Sequence, residues 1–203
     1  MPREIEFLFD FGGPNSWFVH RAIPAIEAKG KVKFRYAPVL LGGIFRATGN
    51  KPPLMTYGHV AQKVAYDRLE MERFMTTHGI SGFQFNPHFP VNTLKIMRGA
   101  VAAQERGCFA PYVDAVYAAM WERGLDMADD AQIGAVLAEA GLDAAALVAT
   151  SQDAAVKQRL LDNTQQAHDR GAFGSPSFFV GDQLYFGKDR LRDVEEAAAA
   201  AGA

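Results

Sequence analysis

Near the C-terminus a serine–proline pair heads an apolar run, Phe173-Gly174-Ser175-Pro176-Ser177-Phe178-Phe179-Val180. Proline cannot donate to a sheet ladder, so it opens a strand, sits at a bulge or lies at an edge. A Ser-Pro bond in such a turn is a candidate for the cis form. The backbone N–H and C=O of residue 175 are then free to pair with something other than a neighbouring strand. A second feature lies early in the chain, Gly12-Gly13-Pro14-Asn15-Ser16-Trp17, where proline suits the first turn of a helix. A third is Lys188-Asp189-Arg190-Leu191, which opens the last helix with Asp189 placed to cap it. Helix N-termini present unpaired N–H groups and a partial positive charge, so they favour anions and depress thiol pKa values. Brought together, these three parts suit a thiolate. The only cysteine, however, is Cys108, outside all three and without a Cys-x-x-Cys partner. A thiolate, if one is used, must arrive on a ligand.

Several elements must position these parts. Ile5, Phe7, Phe9 and Phe11 share one face of a mostly buried first strand. A helix follows over 15–29, bent at Pro24 and stopped by Gly30. Val32-Lys33-Phe34-Arg35-Tyr36 reads as a second strand, parallel to the first because a helix intervenes. Residues 38–53, with Pro38, Gly42-Gly43, Gly49-Asn50 and Pro52-Pro53, read as irregular. Helical spacing then recurs over 57–78, 93–106, 110–122, 130–140, 143–149 and 153–170, with a Gly/Pro-punctuated loop over 80–92. Gly181-Asp182 turns the strand after Pro176 into Gln183-Leu184-Tyr185-Phe186. The order βαβ, helices, ββα is an α/β thioredoxin-like fold with a large all-helical insertion. Residues 1–45 and 171–203 form the thioredoxin-like domain, and 46–170 the insertion domain.

Composition bounds the partners. The chain has 203 residues, 49% of them hydrophobic and 22% charged, with a net charge of −2. No basic cluster is long enough to follow a phosphate backbone, so nucleic acid and anionic membrane surfaces are poor partners. No apolar run is long enough for a bilayer. The N-terminus enters a strand directly, without a secretory pattern, and one cysteine fits a reducing cytoplasm. The histidines show no metal-ligand spacing. In that compartment glutathione is the obvious carrier of a thiol: it is extended enough to pair with the backbone at residue 175, with Asp189 suited to its ammonium and Lys188 to a carboxylate.

These landmarks carry a resemblance. Phe9-Asp10-Phe11-Gly12-Gly13-Pro14-Asn15-Ser16-Trp17, Gly49-Asn50-Lys51-Pro52-Pro53, Lys63 with Tyr66, Phe89-Pro90-Val91-Asn92, Phe173-Gly174-Ser175-Pro176 and Gly187-Lys188-Asp189-Arg190-Leu191 together resemble the 2-hydroxychromene-2-carboxylate isomerases. That bacterial family is related to kappa-class glutathione transferases, and the resemblance covers nearly the whole chain. It implies glutathione as cofactor, held by the backbone of Ser175 beside Pro176, by Lys188 and Asp189 at the γ-glutamyl end, and by Asn50. It implies a small aromatic oxo-acid substrate, with Lys63, Tyr66 and Asn92 in its binding, and a homodimer. The family reaction interconverts a cyclic hemiketal carboxylate and an open-chain enone in aromatic hydrocarbon breakdown. Thiolate addition turns a conjugated double bond into a single bond, rotation follows, and elimination returns the glutathione. One departure bears on the chemistry. The family's thiol-activating serine precedes the turn proline, and here that position is Gly13; the nearest hydroxyl in sequence is Ser16.

Plainer readings stand beside these. Ser16 serves equally to line its helix, alone or with His20 one turn on. Asp10 serves to receive backbone N–H groups at a strand end, Asn50 to make a turn, and Asn92 to cap a helix. Lys63 and Tyr66 fit a solvated helix face, and Tyr117, Trp121 and Phe109 fit a core.

Overall fold

In the computed structural model, which describes residues 2–200, the chain begins with β1 (Arg3–Phe9), α1 (Pro14–Glu27) and β2 (Val32–Pro38). The strands β1 and β2 pair in parallel, Arg3 beside Val32 through Phe9 beside Pro38. After the helices come β3 (Ser177–Val180) and β4 (Gln183–Phe186), an antiparallel hairpin. β3 runs antiparallel to β1, with Phe7 opposite Phe178 and Leu8 opposite Ser177. The sheet order is therefore β2-β1-β3-β4. As a central strand covered on both faces, β1 buries Ile5, Phe7, Leu8 and Phe9 completely or nearly so. A 3-10 turn (Lys188–Arg190) leads into α10 (Leu191–Ala200). Between β2 and β3 run α2 (Leu41–Thr48), α3 (Pro53–Tyr57), α4 (Ala61–His78), α5 (Leu94–Glu105), α6 (Phe109–Trp121), α7 (Asp130–Glu139), α8 (Ala144–Ser151) and α9 (Ala154–Asp169). This is the expected thioredoxin-like fold with a helical insertion.

Three local expectations fail, each for a physical reason. The segment 38–53 is not irregular throughout, because α2 forms across Gly42-Gly43. Ile44 is buried, and Gly43 sits where a Cβ would approach the Thr164 side chain of α9 at 3.0 Å, so packing overrides the poor helix propensity of glycine. The helix expected over 57–78 is two: α3 ends at Tyr57, and α4 starts only at Ala61 after the extended Val60. Asp189 caps nothing. It lies within the 3-10 turn, whose N-terminal flank is Gly187, and its carboxylate pairs with Lys188 at 2.5 Å.

The core that backs the early turn comes from the insertion. Phe11 lies edge-on to Tyr117 of α6, ring centroids 4.7 Å apart. The Trp121 indole N–H donates to the Phe11 carbonyl at 2.7 Å. α6 is in turn set against α5 at Gly99. The Tyr112 hydroxyl donates to the Ile96 carbonyl at 2.9 Å, and a Cβ at Gly99 would come within 2.0 Å of that hydroxyl oxygen. Asp10 is the other tie. Its buried carboxylate accepts from the Gly12 N–H (2.8 Å), the Leu41 N–H at the start of α2 (2.8 Å) and the Thr93 hydroxyl just before α5 (3.2 Å). Burial pushes this carboxyl above the ordinary 3.8, and the hydrogen bonds from Leu41, Gly12 and Thr93 pull against that rise.

Two outcomes are expected. Gly99→Ala forces Tyr112 out of place and should cost about 1–3 kcal/mol, read as a lower urea midpoint; an unchanged midpoint would show that the α5–α6 contact has slack. Asp10→Ala strands three donors and should cost about 3 kcal/mol at neutral pH. Because the folded carboxyl titrates above 3.8, its contribution is complete below that value and falls as pH rises through the folded pKa. The stability gap between wild type and Asp10→Ala should therefore be wider in acid than at neutral pH. A gap that narrows in acid would mean that the hydrogen bonds outweigh burial.

Candidate functional site

The antiparallel register that sets Leu8 opposite Ser177 carries Ser175-Pro176 back alongside the exit of β1. The Ser175-Pro176 bond is cis. Directly across lies the turn into α1. A Cβ built on Gly13 would stand 3.8 Å from the Ser175 carbonyl oxygen and 3.7 Å from Ser16 Oγ. Gly13 is the N-terminal flank of α1, extended at φ −102° and ψ 118°, and supplies no side-chain cap; no acidic residue occupies the first turn. The N-terminus of a 14-residue helix thus faces the proline loop, with its partial positive charge uncompensated by its own residues.

The third part is joined on. The Gly187 N–H donates to the Pro176 carbonyl at 2.9 Å, which fixes the 3-10 turn against the proline loop. Lys188 is only 4% exposed. Its ammonium pairs with Asp189, which stays largely exposed, and stands 4.9 Å above the Phe74 ring. From the other side, the Asn50 amide donates to the Phe173 carbonyl at 2.9 Å. Gly13, Ser16, Asn50, Ser175, Pro176, Lys188 and Asp189 therefore gather around one loop.

The other three singled-out residues are not brought into that group. Lys63 is exposed on α4 and pairs with Asp67 one turn on. Tyr66 is half-exposed on the same helix. Asn92 is exposed, and its side chain accepts from the Leu94 N–H at 3.1 Å at the entry to α5. Its neighbour Thr93, not Asn92, reaches the turn: Thr93 Cγ2 is 3.1 Å from the Cβ position at Gly12.

Ser16 and His20 do not form a surface pair or a relay. Ser16 is fully buried and shares a hydrogen bond with the Ser175 hydroxyl at 2.9 Å. His20 Nδ1 bonds the Tyr36 hydroxyl at 2.9 Å, and its Nε2 lies 3.0 Å from the Asp114 carboxylate. Two polar groups near the turn have no partner of their own: Asn15 Oδ1 and the Tyr117 hydroxyl are buried and unbonded. Burial, and to a lesser degree the nearby Tyr36 and Asp10, hold the Tyr117 phenol well above its usual pKa, while the adjacent Ser16 side chain acts the other way. Sequence reasoning assigned Tyr117 to the core and considered only the backbone of Ser175. Nothing in the spacing of residues 16, 117 and 175 signals that the first and last share a hydrogen bond with Tyr117 beside them.

Chemically, an uncapped helix start beside the Ser175 main chain favours an anion. The chain supplies no thiol there, since Cys108 flanks the start of α6.

Comparison with known proteins agrees with this geometry. The curated 2-hydroxychromene-2-carboxylate isomerase of Sphingobium xenophagum is 27% identical over 195 residues, covering 96% of this chain and 97% of that protein. Glutathione S-transferase kappa 1 of Rattus norvegicus is 26% identical, covering 94% of this chain and 88% of that one. A solved 2-hydroxychromene-2-carboxylate isomerase superposes with a TM-score of 0.83 at 25% identity, over 98% of this chain and 95% of the other. The resemblance read from the sequence motifs thus extends over the whole length. The family described as the DSBA-like thioredoxin domain matches residues 4–199, and the chain belongs to it.

Proposed function

We propose that this protein is a glutathione-dependent isomerase. Its substrates are small aromatic oxo-acids of the 2-hydroxychromene-2-carboxylate type and the corresponding o-hydroxybenzylidenepyruvates. The observation that carries the reading is the juxtaposition of the Ser175-Pro176 loop and an uncapped helix start on a chain whose single cysteine lies elsewhere. Its similarity to isomerases and kappa transferases supports the same direction.

In this reading the glutathione backbone pairs with residue 175 beside Pro176. Asp189 meets the α-ammonium, Lys188 a carboxylate, and Asn50 holds the tripeptide from the opposite rim. The sulfur then points at Gly13 and the start of α1, where the helix dipole favours its thiolate. The thiolate adds to the carbon β to the substrate ketone, and the former double bond rotates as a single bond. Elimination reverses the addition and returns the thiolate, so no glutathione is consumed. Lys63, Tyr66 and Asn92 are proposed to contact the substrate carboxylate and ring once substrate and a second subunit are present. The cytoplasmic glutathione pool supplies the cofactor.

A second reading is favoured by one observation, the glycine at position 13. Without a hydroxyl there, the protein could retain glutathione with little turnover, or keep the adduct as a kappa-like transferase does. Both are separated from isomerisation by one experiment. Protein, glutathione and a benzylidenepyruvate substrate are mixed, and the enone absorbance is followed alongside free thiol. Isomerisation changes the absorbance at constant thiol, transfer consumes thiol, and mere binding changes neither. Glutathione at 100 times its Kd should also stabilise the fold by about 2.7 kcal/mol, raising Tm; no shift at millimolar ligand overturns the reading. Gly13→Ser should fold as well as wild type, because its φ suits any residue and its Cβ finds only ordinary contacts. We expect it to raise the isomerisation rate by about tenfold, the worth of one charge-assisted hydrogen bond to sulfur. An unchanged rate would show that the thiolate is already fully bonded without it.

A further inference from the structure

If the sulfur lies at Gly13, some other group must supply the hydroxyl that Gly13 lacks. Ser16 is a poor source. It is fully buried, and its hydroxyl is already engaged with that of Ser175. The Ser175 side chain is only partly buried.

The directions of the hydrogen bonds single out the same group. Ser175 Oγ reaches two partners, Ser16 Oγ at 2.9 Å and the Leu8 carbonyl at 3.3 Å. A carbonyl can only accept, so the Ser175 proton points to Leu8 and Ser16 donates to Ser175. Ser16 is then left with an acceptor position, and beside it the Tyr117 hydroxyl lies buried with no hydrogen bond of its own. Turning the Tyr117 O–H toward Ser16 completes a row of three hydroxyls, Tyr117 to Ser16 to Ser175, whose last proton rests on a long bond to a neutral carbonyl. A thiolate is a stronger acceptor than that carbonyl, because a charged partner roughly doubles a hydrogen bond. Turning the Ser175 O–H from Leu8 to sulfur breaks only this weakest link. Ser175 keeps accepting from Ser16, and the row behind it stays in register.

We propose that the Ser175 side chain is the hydroxyl donor to the cofactor thiolate, a catalytic group supplied by the cis-proline loop in place of the α1 turn, with Ser16 and Tyr117 as positioning residues behind it. This rests on the glutathione reading above. In the step concerned the S–H bond breaks, the proton passes to solvent water, the electron pair stays on sulfur, and the Ser175 O–H···S⁻ bond forms as the bond to Leu8 is released. No oxidant or second reactant enters.

The test is a pH titration of bound glutathione in the full-length protein, followed by the ultraviolet absorbance of the thiolate, with affinity measured separately by calorimetry. Ser175→Ala should raise the apparent thiol pKa by about one unit, a tenfold loss of thiolate below the pKa. Affinity at a pH below both values should change little, and above both it should fall by the same factor of about ten. Ser175→Thr keeps the hydroxyl and should restore the titration. Tyr117→Phe should produce a smaller rise in the same direction without altering affinity at a pH below both values, an effect that a purely packing role for this ring would not give. If Ser175→Ala folds and binds glutathione yet titrates as wild type does, the Ser175 proposal is overturned and the glutathione reading survives. If Ser175→Ala fails to fold, Ser175→Thr and Tyr117→Phe decide. A normal Tyr117→Phe titration then overturns the hydroxyl row. If wild type binds no glutathione at all, the parent reading falls, and this proposal with it.

Discussion

The pairing of β1 with β3 is the constraint on which the site depends. One antiparallel register, Leu8 against Ser177, decides that the loop before β3 lies beside the turn after β1. Slipping it by one residue would turn every side chain of β3 to the other face, taking Phe178 off Phe7, where the two rings now stack at 5.5 Å. The hydrophobic cost of a slip is therefore what holds a polar crevice in place. Proline at 176 ends the ladder just where the crevice must open, since it has no N–H to give to a neighbouring strand. The backbone at 175 is left for another partner for the same reason.

A second level of control comes from the insertion. The turn is not held by the sheet alone. Trp121 of α6 holds the Phe11 carbonyl, and the Asp10 carboxylate gathers the turn, the start of α2 and the approach to α5 into one knot. These are long-range contacts. The helical block thus does more than cover the sheet: it fixes the direction in which the uncapped end of α1 points. A buried carboxylate is costly unless its acceptor sites are filled, and here three donors fill them. Two of these are backbone N–H groups, so Asp10 satisfies the main chain at the places where it leaves regular structure.

Much of this was legible in the sequence, because the strongest signals are local. Alternation marked β1 and β2, the Ser-Pro and Gly-Asp pairs marked β3 and β4, and helical spacing located six of the helices of the insertion close to where they lie. What was not legible depends on partners distant in sequence. α2 was hidden by its two glycines and exists because Ile44 and Gly43 pack inward against the sheet and α9. The break before Ala61 was hidden by continuous helical spacing from Tyr57 onward. Asp189 looks like a helix cap in any local window, yet the buried Lys188 beside it claims its carboxylate. Ser16 and His20 share a helix spacing but turn to different neighbours, Ser175 and Tyr36, each supplied by another strand or loop. At the site, the convergence of the three landmarks was readable from the order of elements. The bond between the hydroxyls of Ser16 and Ser175, with Tyr117 beside it, was not, since it joins distant segments through side chains.

Lys188 illustrates how such a site can be ready for an ionic ligand without storing an unpaired charge. An isolated ammonium at 4% exposure would be strongly disfavoured. It is tolerated because Asp189 neutralises it and the Phe74 ring faces it. The two partners differ in exposure: the lysine is buried, whereas the Asp189 side chain is 60% exposed. The pair can therefore be approached from the side of the carboxylate. A ligand that carries both an ammonium and a carboxylate on one carbon can satisfy Asp189 and Lys188 together, replacing one ion pair by two with no net change in buried charge. A ligand bearing only one of these charges would leave a member of the pair uncompensated. In the proposed function an amino-acid end group therefore suits Lys188 and Asp189, and Gly187 beside them bonds Pro176 at 2.9 Å. In that reading one short loop carries both the recognition of that end and the presentation of the sulfur.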